Sequence, residues 1–277
     1  MTDPELPPVS RTALGVAALR ALESDRPDRL FDDPFAAAFF GAGKAMFPAP
    51  ERARPQGEPS LGLLFAGQIA VRTRFYDEFL LTAANRGCAQ VVLVAAGLDA
   101  RAFRLDWPQG VRLFELDLPG VLDFKARVLA ELAARPRCAR IAVPADLRED
   151  WSGALRAAGF DAVAPTAWLI EGLMIYLDRA EAAALLSTVG QLSAPGGEIA
   201  FEYRAAGERD DIVTQAKSLS TGQEVTDLWK GGFGPDVPEW LTEHGWRTRT
   251  YAGPEVAAGY GRAGALPSTG FVTGIRA

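Results

Sequence analysis

The chain has 277 residues, of which 48% are hydrophobic and 23% charged, so it can bury a sizeable core and is too apolar for an intrinsically disordered protein. Its formal net charge of −6 excludes an overall basic field for nucleic acid, and its first ten residues, MTDPELPPVS, are unlike a signal peptide. We find no apolar run long enough to span a membrane, and two cysteines with one histidine make neither a metal cluster nor a disulfide framework. We therefore predict a globular, cytoplasmic protein without metal, membrane or nucleic-acid partners.

The first third of the chain shows helical patterns. Ser10 is placed to cap a helix from Arg11 to Leu22, whose aliphatic residues recur at helical spacing, and a second short helix is predicted after Asp33-Pro34. Residues 48–59, PAPERARPQGEP, carry four prolines and predict a mobile loop. A long helix is then expected over residues 61–85.

Three arginines, Arg11, Arg20 and Arg26, lie in or beside the first helix. Isolated arginines are usually solvated, so a surface charge is the simplest interpretation of each, and we assign none of them to the site.

The centre of the chain predicts a nucleotide-type pocket. Residues 91–94 form a β-branched and aliphatic run typical of a parallel strand buried on both faces. The small residues Ala95 to Gly97 then allow a tight turn and close approach of a ligand. A second hydrophobic run ends in Asp117, twenty positions after Gly97, where a carboxylate can accept hydrogen bonds from a ribose diol.

The glycine signature of this turn is incomplete, because Ala95 occupies the first glycine position of a dinucleotide-binding fingerprint and no G-x-G-x-x-G is present. A turn of small residues packed under a helix is the alternative interpretation.

Strand and helix patterns alternate in the second half of the chain. Residues 118–134, 148–158 and 180–192 predict helices, and residues 141–143, 166–170 and 198–203 predict strands. This alternation favours an α/β fold with a mostly parallel, doubly wound sheet, whose ligands bind at the carboxyl ends of the strands.

The remaining chain is less regular. Helical pieces are predicted over residues 210–219 and 223–229, and two strands, residues 247–251 and 268–275, predict an antiparallel edge hairpin. We expect one domain with four segments, residues 1–86 as a helical cap, 87–204 as the core, 205–244 as an insertion and 245–277 as the edge hairpin.

Four motifs occur in order, AAGLDARAFRL, FELDLPGVLDFK, ADLRED and EGLMIYL, and RTALGVAALRA, LFDDPFA and VRTRFYDEFL precede them. Together they resemble the leucine carboxyl methyltransferase-like family of S-adenosylmethionine-dependent O-methyltransferases. The resemblance covers most of the chain to about residue 205. It implies a Rossmann-like class I methyltransferase fold with a seven-stranded sheet, an antiparallel edge strand and an N-terminal helical lid.

The resemblance implies residue roles in binding S-adenosyl-L-methionine. Arg72 occupies the position of the arginine that holds the methionyl carboxylate. Asp146 and Leu147 occupy the positions that contact adenine. Glu171 occupies the position of a residue that contacts the methionine portion. The alternatives are an exposed Arg72 and a helix cap at Asp146. With their neighbours, the predicted cofactor-binding residues are Arg72, Ala95, Gly97, Asp117, Leu118, Asp146, Leu147, Glu171 and Gly172.

The LDxRxxRL pattern of the resemblance includes Arg101 and Arg104, which flank the turn. We expect these two arginines to clamp Asp99 or a neighbouring carboxylate rather than to contact substrate.

The acceptor is expected to be a small-molecule carboxylate or hydroxyl, in secondary-metabolite biosynthesis of the polyketide type. Tyr176, Arg148 and His244 are the candidate catalytic residues, with Arg148 able to pair with an acceptor carboxylate. A carboxylate acceptor needs no base, whereas a hydroxyl acceptor is served by His244, Tyr203 or Glu202. The alternative for His244 is a helix C-cap, and for Tyr176 a core or rim aromatic.

Two other functions fit parts of this pattern. A nicotinamide-dependent oxidoreductase would use the same first pocket, and a methyltransferase fold repurposed for cofactor binding or a non-methylating reaction would keep the site without methyl transfer.

Overall fold

The computed structural model describes residues 8–46, 61–204, 227–262 and 270–277. Two helices, α1 (Pro8–Ser24) and α2 (Ala36–Gly43), and a 3-10 turn (Lys44–Met46) precede a long helix, α3 (Leu61–Asn85). The first helix begins at Pro8, so Ser10 lies within its first turn instead of preceding it. The predicted loop at residues 48–59 lies outside the described residues.

A seven-stranded sheet forms the centre of the molecule, in the order β3-β2-β1-β4-β5-β7-β6. Its strands are β1 (Gln90–Val94), β2 (Arg112–Asp117), β3 (Ala139–Pro144), β4 (Thr166–Ile170), β5 (Glu198–Tyr203), β6 (Trp246–Tyr251) and β7 (Gly270–Arg276). The first five strands pair in parallel, which confirms the doubly wound sheet.

The one strand of this sheet that runs against the others is β7, which pairs antiparallel with both β5 and β6. The sequence predicted an antiparallel edge hairpin. The pairing is confirmed, but the opposed strand lies one position inside the edge, and β6 forms the edge itself. Because β6 opposes β7, it runs in the same direction as β1 to β5.

The connecting segments are helical. They comprise α4 (Arg101–Arg104), α5 (Pro119–Glu131), α6 (Trp151–Ala157), a 3-10 turn (Met174–Tyr176), α7 (Arg179–Gln191), α8 (Val237–Glu243) and α9 (Gly253–Gly259). Local chemistry sets their starts. Asp178 caps α7 and completes a capping box with Glu181, and Asp150 caps α6 through the Gly153 N–H.

Two hydrophobic cores lie on opposite faces of the sheet. Leu93 of β1 and Leu169 of β4 face a core shared with α1, α3 and α5, whereas Val92 and Val94 of β1 face a core shared with α6 and α7. Every residue of β1 is buried, as expected for a central parallel strand. Helices therefore cover both faces and leave the carboxyl edge of the strands for a ligand.

The helices predicted for residues 210–219 and 223–229 fall mainly outside the described residues. Within the described ranges, none of the helices combines the length and apolar character needed to cross a bilayer.

Candidate active site at the carboxyl edge of the sheet

The candidate site lies at the carboxyl edge of the sheet, where the strand order reverses. β1 and β4 are neighbours in the sheet. The chain continues from β1 to β2 on one side and from β4 to β5 on the other, so the direction of winding reverses between β1 and β4. The ends of β2 and β3 are in register, with Asp117 opposite Pro144, and the Ala145 N–H donates to the Asp117 carbonyl at 2.9 Å. Asp117, predicted to contact the ribose, and Asp146, predicted to contact adenine, thus lie at the ends of adjacent strands.

Asp117 is held against the turn after β1. Its Oδ2 accepts the Gly97 N–H at 2.6 Å and its Oδ1 accepts the Leu118 N–H at 2.7 Å. Burial raises the pKa of Asp117, against the opposing effect of these two hydrogen bonds. Each carboxylate oxygen accepts one of these bonds and has capacity for a second, so both can still accept from a ligand.

The turn itself requires unusual backbone angles. Ala95 has φ +53° and Gly97 has φ +50°, a region that costs a residue with a Cβ more than it costs glycine. A Cβ built on Gly97 would lie 3.4 Å from the Ala13 Cβ of α1. The small residues therefore allow the turn, which packs against α1 as the alternative interpretation predicted.

Asp146 lies two residues beyond β3 and is paired with a neighbour. Its Oδ1 accepts from the Arg148 N–H at 2.9 Å, and the Arg148 guanidinium bonds both oxygens. These bonds lower the pKa of Asp146 to about 2. Asp146 is not the cap of α6, because Asp150 takes that position. The partly buried Leu147 packs against the core that includes α6.

Glu171, directly after β4, accepts hydrogen bonds from three arginines. Its Oε1 binds Arg20 at 2.7 Å and Arg72 at 3.0 Å, and its Oε2 binds Arg101 at 2.6 Å. Burial opposes ionisation, but the three guanidinium groups outweigh it and hold the pKa of Glu171 well below its usual range. A buried glutamate at a strand end thus has its partners within the protein.

Arg72 is buried, which excludes the exposed alternative. Besides Glu171 it pairs with Glu202 at 2.8 Å. Gly172 has φ +69°, a backbone conformation that favours glycine, and it lies directly against the Arg72 guanidinium. The Gly172 N–H donates to both Glu202 oxygens at 3.1 Å. The ends of β4 and β5 are therefore joined through Arg72 and Glu202.

Arg101 joins the turn after β1 to the turn after β4, because it bonds both Asp99 and Glu171. The prediction that Arg101 clamps Asp99 is confirmed. Arg104 instead forms a two-pronged pair with Asp77 of α3, with both N···O distances at 2.6 Å. These pairs tie α3 to the ligand edge.

Arg20 was predicted to be a surface charge, and this prediction is wrong. The residue is 6% exposed, and its side chain reaches Glu171 across 151 residues of sequence. The signal was present in the helical spacing, because Arg20 falls three residues after Ala17 and seven after Ala13, on the buried face of α1.

Tyr176 and Arg148 lie on the ligand side of the sheet. Tyr176 belongs to the partly buried 3-10 turn after β4, and the exposed Arg148 follows β3. Glu202 and Tyr203 are the last residues of β5, at the same edge.

His244 lies elsewhere. It precedes β6, which runs in the same direction as β1 to β5, so it lies at the amino edge of the sheet. Its Nδ1 bonds the Trp240 carbonyl at 2.7 Å, and its ring stacks on Trp240 with centroids 3.7 Å apart. The structure thus places His244 as a helix C-cap and does not bring it together with the other predicted site residues.

Comparison with known proteins agrees with this architecture. The model of the leucine carboxyl methyltransferase family matches residues 13–190. A protein of Parafrankia sp. is 48% identical over 274 residues, covering 97% of this chain and 87% of its own, and a protein of Rhodococcus jostii is 44% identical over 264 residues, covering 92% and 88%. Both are named, provisionally, S-adenosyl-L-methionine-dependent methyltransferases.

Solved structures share the fold at low identity. A structure from Thermobifida fusca, provisionally named a methyltransferase, has a TM-score of 0.54 at 14% identity and covers 95% of this chain and 94% of its own. Magnesium protoporphyrin IX methyltransferase from Synechocystis, crystallised with S-adenosylhomocysteine, has a TM-score of 0.52 at 13% identity and covers 80% and 90%. These neighbours show the Rossmann-like methyltransferase fold.

Proposed function

This chain belongs to the leucine carboxyl methyltransferase family and is an S-adenosylmethionine-dependent methyltransferase, and from that premise we propose that it methylates an oxygen of a small molecule. A carboxylate is the acceptor that the site supports best, with a hydroxyl as the second candidate. The nicotinamide alternative is set aside, because the family and its relatives use S-adenosylmethionine.

The chemistry of the donor set fits this cofactor. We assign Asp117, oriented by the Gly97 and Leu118 N–H groups, to the ribose diol, and Asp146 with Leu147 to adenine. Glu171 and its arginines match the charged amino-acid end, which carries one carboxylate and one ammonium group. The bound cofactor supplies an activated methyl group on a sulfonium that leaves readily, so the protein's task is alignment.

One observation carries the preference for a carboxylate acceptor. At the ligand edge, the partly buried Glu171 and Glu202 are both paired with Arg72, and His244 lies at the opposite edge of the sheet. A carboxylic acid is already ionised at pH 7 and needs no base, whereas an alcohol would need one. The site therefore suits a carboxylate acceptor, whose oxygen is already ionised and nucleophilic when it binds.

On the acceptor side, we assign Arg148 to the acceptor carboxylate and Tyr176 to the wall of the transfer site. The Arg148 side chain is 84% exposed and its pair with Asp146 lies at the surface. Exposed pairs of this kind contribute little, so the guanidinium can turn towards an incoming carboxylate at small cost. The two-pronged geometry of guanidinium and carboxylate would then orient the attacking oxygen.

We also propose the biosynthetic role of the protein and its cellular location. The alanine, arginine and glycine content of the chain is compatible with a secondary-metabolite acceptor of the polyketide type in an actinobacterial cytoplasm.

The test is methyl transfer from S-adenosylmethionine carrying a radiolabelled methyl group to a matched panel of carboxylic acids and the corresponding alcohols. We expect labelled product from acids, and we expect mild alkali to release its label as volatile methanol, because methyl esters hydrolyse and methyl ethers do not. Alkali-stable product from the alcohols would refute the carboxylate preference. Cofactor binding without transfer to any member would favour a repurposed fold.

A further inference from the structure

Residues 229–236, which we call the strap, lie against the 3-10 turn that follows β4. The Lys230 N–H donates to the Ile175 carbonyl at 2.8 Å, and the Gly232 N–H donates to the Leu177 carbonyl at 3.0 Å. Two residues of the strap thus bond two residues of the turn in register. The strap therefore runs along the end of this turn, at the carboxyl edge of the sheet.

Side chains also fix the strap to the start of α7. The Lys230 Nζ lies 2.7 Å from a Glu181 oxygen, and Arg179 pairs with Asp236 at 2.6 Å. Between these two pairs, Phe233 is 4% exposed and belongs to the core shared with α6 and α7, with the Arg179 guanidinium 4.3 Å from the centre of its ring. The strap is therefore held in place without a ligand.

The strap places a tryptophan beside the proposed transfer site. The hydrogen bond between Lys230 and Ile175 also brings together their neighbours in sequence, so Trp229 lies close to Tyr176, which we assigned above to the wall of that site. Both side chains are partly buried, yet within the described ranges neither packs against one of the two hydrophobic cores. Partly buried aromatic surface outside a core, at a ligand edge, suits contact with a ligand ring.

The indole N–H of Trp229 has no hydrogen-bond acceptor. Its Nε1 is shielded from solvent and finds no partner among the described residues. A shielded donor without an acceptor is unfavourable, and native proteins contain few of them. Trp168 has the same unpaired Nε1, but it is 0% exposed in the core of the sheet. Trp229 instead lies at the ligand edge, where an oxygen of the methyl acceptor would satisfy its N–H.

We propose that Trp229 binds the methyl acceptor, donating its indole N–H to a carboxylate oxygen while its ring and that of Tyr176 contact an aromatic body. This rests on the proposed function and narrows the acceptor to an aromatic carboxylic acid. A carboxylate has about four acceptor positions, so a bond from Trp229 leaves room for the pair with Arg148. A flat ring gains both burial and stacking against tryptophan and tyrosine, whereas a saturated ring gains burial alone.

Acceptor binding is measured by calorimetry on protein saturated with S-adenosylhomocysteine. The three ligands are cinnamate, a flat aromatic acid, 3-cyclohexylpropanoate, the acid with a saturated ring, and cinnamyl alcohol, which lacks the carboxylate. For the wild type we expect cinnamate to bind at least about threefold more tightly than 3-cyclohexylpropanoate, because of stacking, and at least about tenfold more tightly than cinnamyl alcohol, because of its charge.

Two variants separate the N–H from the ring. Trp229→Phe keeps a flat ring and removes the donor, so cinnamate should bind about tenfold more weakly, the loss typical of a hydrogen bond to a charged group, and cinnamyl alcohol should lose less. Trp229→Leu also removes the ring, so it should abolish the preference for cinnamate over 3-cyclohexylpropanoate. The affinity for S-adenosylhomocysteine should stay within about threefold in both variants, which also shows that they are folded.

The matched control is Trp240→Phe, the same substitution at a tryptophan that stacks on His244 at the opposite edge of the sheet, and it should leave all affinities unchanged. An unchanged affinity for cinnamate in Trp229→Phe would overturn the inference, because the N–H would then face only apolar side chains. A wild-type protein that binds cinnamate no more tightly than 3-cyclohexylpropanoate would overturn it too.

The failure of this inference is distinguishable from that of the proposed function, because the binding measurements require no methyl transfer. Cinnamate that binds through Trp229 without being methylated, in a protein that methylates no carboxylic acid, would overturn the proposed function alone. Methylation of aliphatic acids by a protein that does not bind cinnamate would overturn this inference alone.

Discussion

The Gly97 N–H donates a 2.6 Å hydrogen bond to the Asp117 carboxylate, joining the ends of β1 and β2 across twenty residues of sequence. The bond fixes the orientation of the carboxylate before any ligand arrives. Preorganised acceptors of this kind bind more tightly than free ones, because their ordering cost is met in folding. We therefore expect removal of the Asp117 carboxylate to weaken cofactor binding more than it lowers the stability of the fold.

Asp117→Ala should weaken binding of S-adenosylhomocysteine by at least about tenfold, because a ribose diol would lose its charged acceptor. Stability should fall much less, since Asp117 is only partly buried and water can reach the N–H groups that it leaves. Calorimetry gives the dissociation constant and thermal unfolding the stability. Asp106→Ala, at an exposed aspartate that pairs with Arg137, is the control. An unchanged dissociation constant would remove Asp117 from the site.

The affinity should also depend on pH through Asp117. Burial raises the pKa of this carboxyl, so in the free protein it takes up a proton at a pH above the ordinary value of about 3.9. The ionised form accepts from the diol and the protonated form does so less well, so binding is strongest above the raised pKa and declines as the pH falls through it. Titrations of 5′-methylthioadenosine binding should show this decline in the wild type and a weaker one in Asp117→Asn. Identical pH profiles would contradict the prediction.

Arg148→Ala should raise the KM for a carboxylic acid acceptor several-fold while leaving the affinity for S-adenosylhomocysteine within about threefold, since its exposed pair with Asp146 is worth little. Steady-state kinetics gives the KM for the acceptor, and calorimetry gives the affinity for S-adenosylhomocysteine. Arg156→Ala, at an exposed arginine on the neighbouring α6, should change neither. If acceptor KM and turnover stay at wild-type values, Arg148 has no acceptor role.

A second buried ion cluster lies under β2 and should govern stability. Glu115 and Lys125 are both 0% exposed and pair at 2.9 Å, and Arg140 reaches the same Glu115 oxygen at 2.7 Å. Glu115→Gln leaves a buried ammonium without its counter-charge and should cost about 3–5 kcal/mol in urea unfolding. The double variant Glu115→Leu with Lys125→Met should cost less than Glu115→Gln alone. A larger cost for the double variant would show that packing, not charge, sets the stability here.

Most of the fold could be predicted from local patterns. The strands at 166–170 and 198–203 were predicted with their observed bounds, and the helix predicted at 180–192 is α7 (Arg179–Gln191). Periodicity and capping are properties of neighbouring residues, so the sequence displays them directly. The start of α6 was missed because two aspartates, Asp146 and Asp150, stand near it, and only the packed helix decides between them.

The candidate site was predictable where it follows a strand end. Asp117 ends a parallel strand and Gly97, Asp146 and Glu171 follow one, and chain order alone places such positions at one edge of a sheet. Arg20 and His244 could not be placed this way. Residue type favours a solvated arginine and a functional histidine, whereas the structure buries Arg20 against Glu171 and carries His244 to the opposite edge.

The sequence by itself determined the alternation of strands and helices, the edge of the sheet that can bind a ligand, and the carboxylates that line it, because each of these depends on neighbouring residues. Only the tertiary structure decided which charges meet there. Arg20, Arg72 and Arg101 come from three different helices, and Glu171 gathers them because a buried carboxylate is stable only with its counter-charges close by. The helical spacing indicates that Arg20 lies on the buried face of its helix, but no pattern of neighbouring residues indicates contacts across 151, 99 and 70 residues.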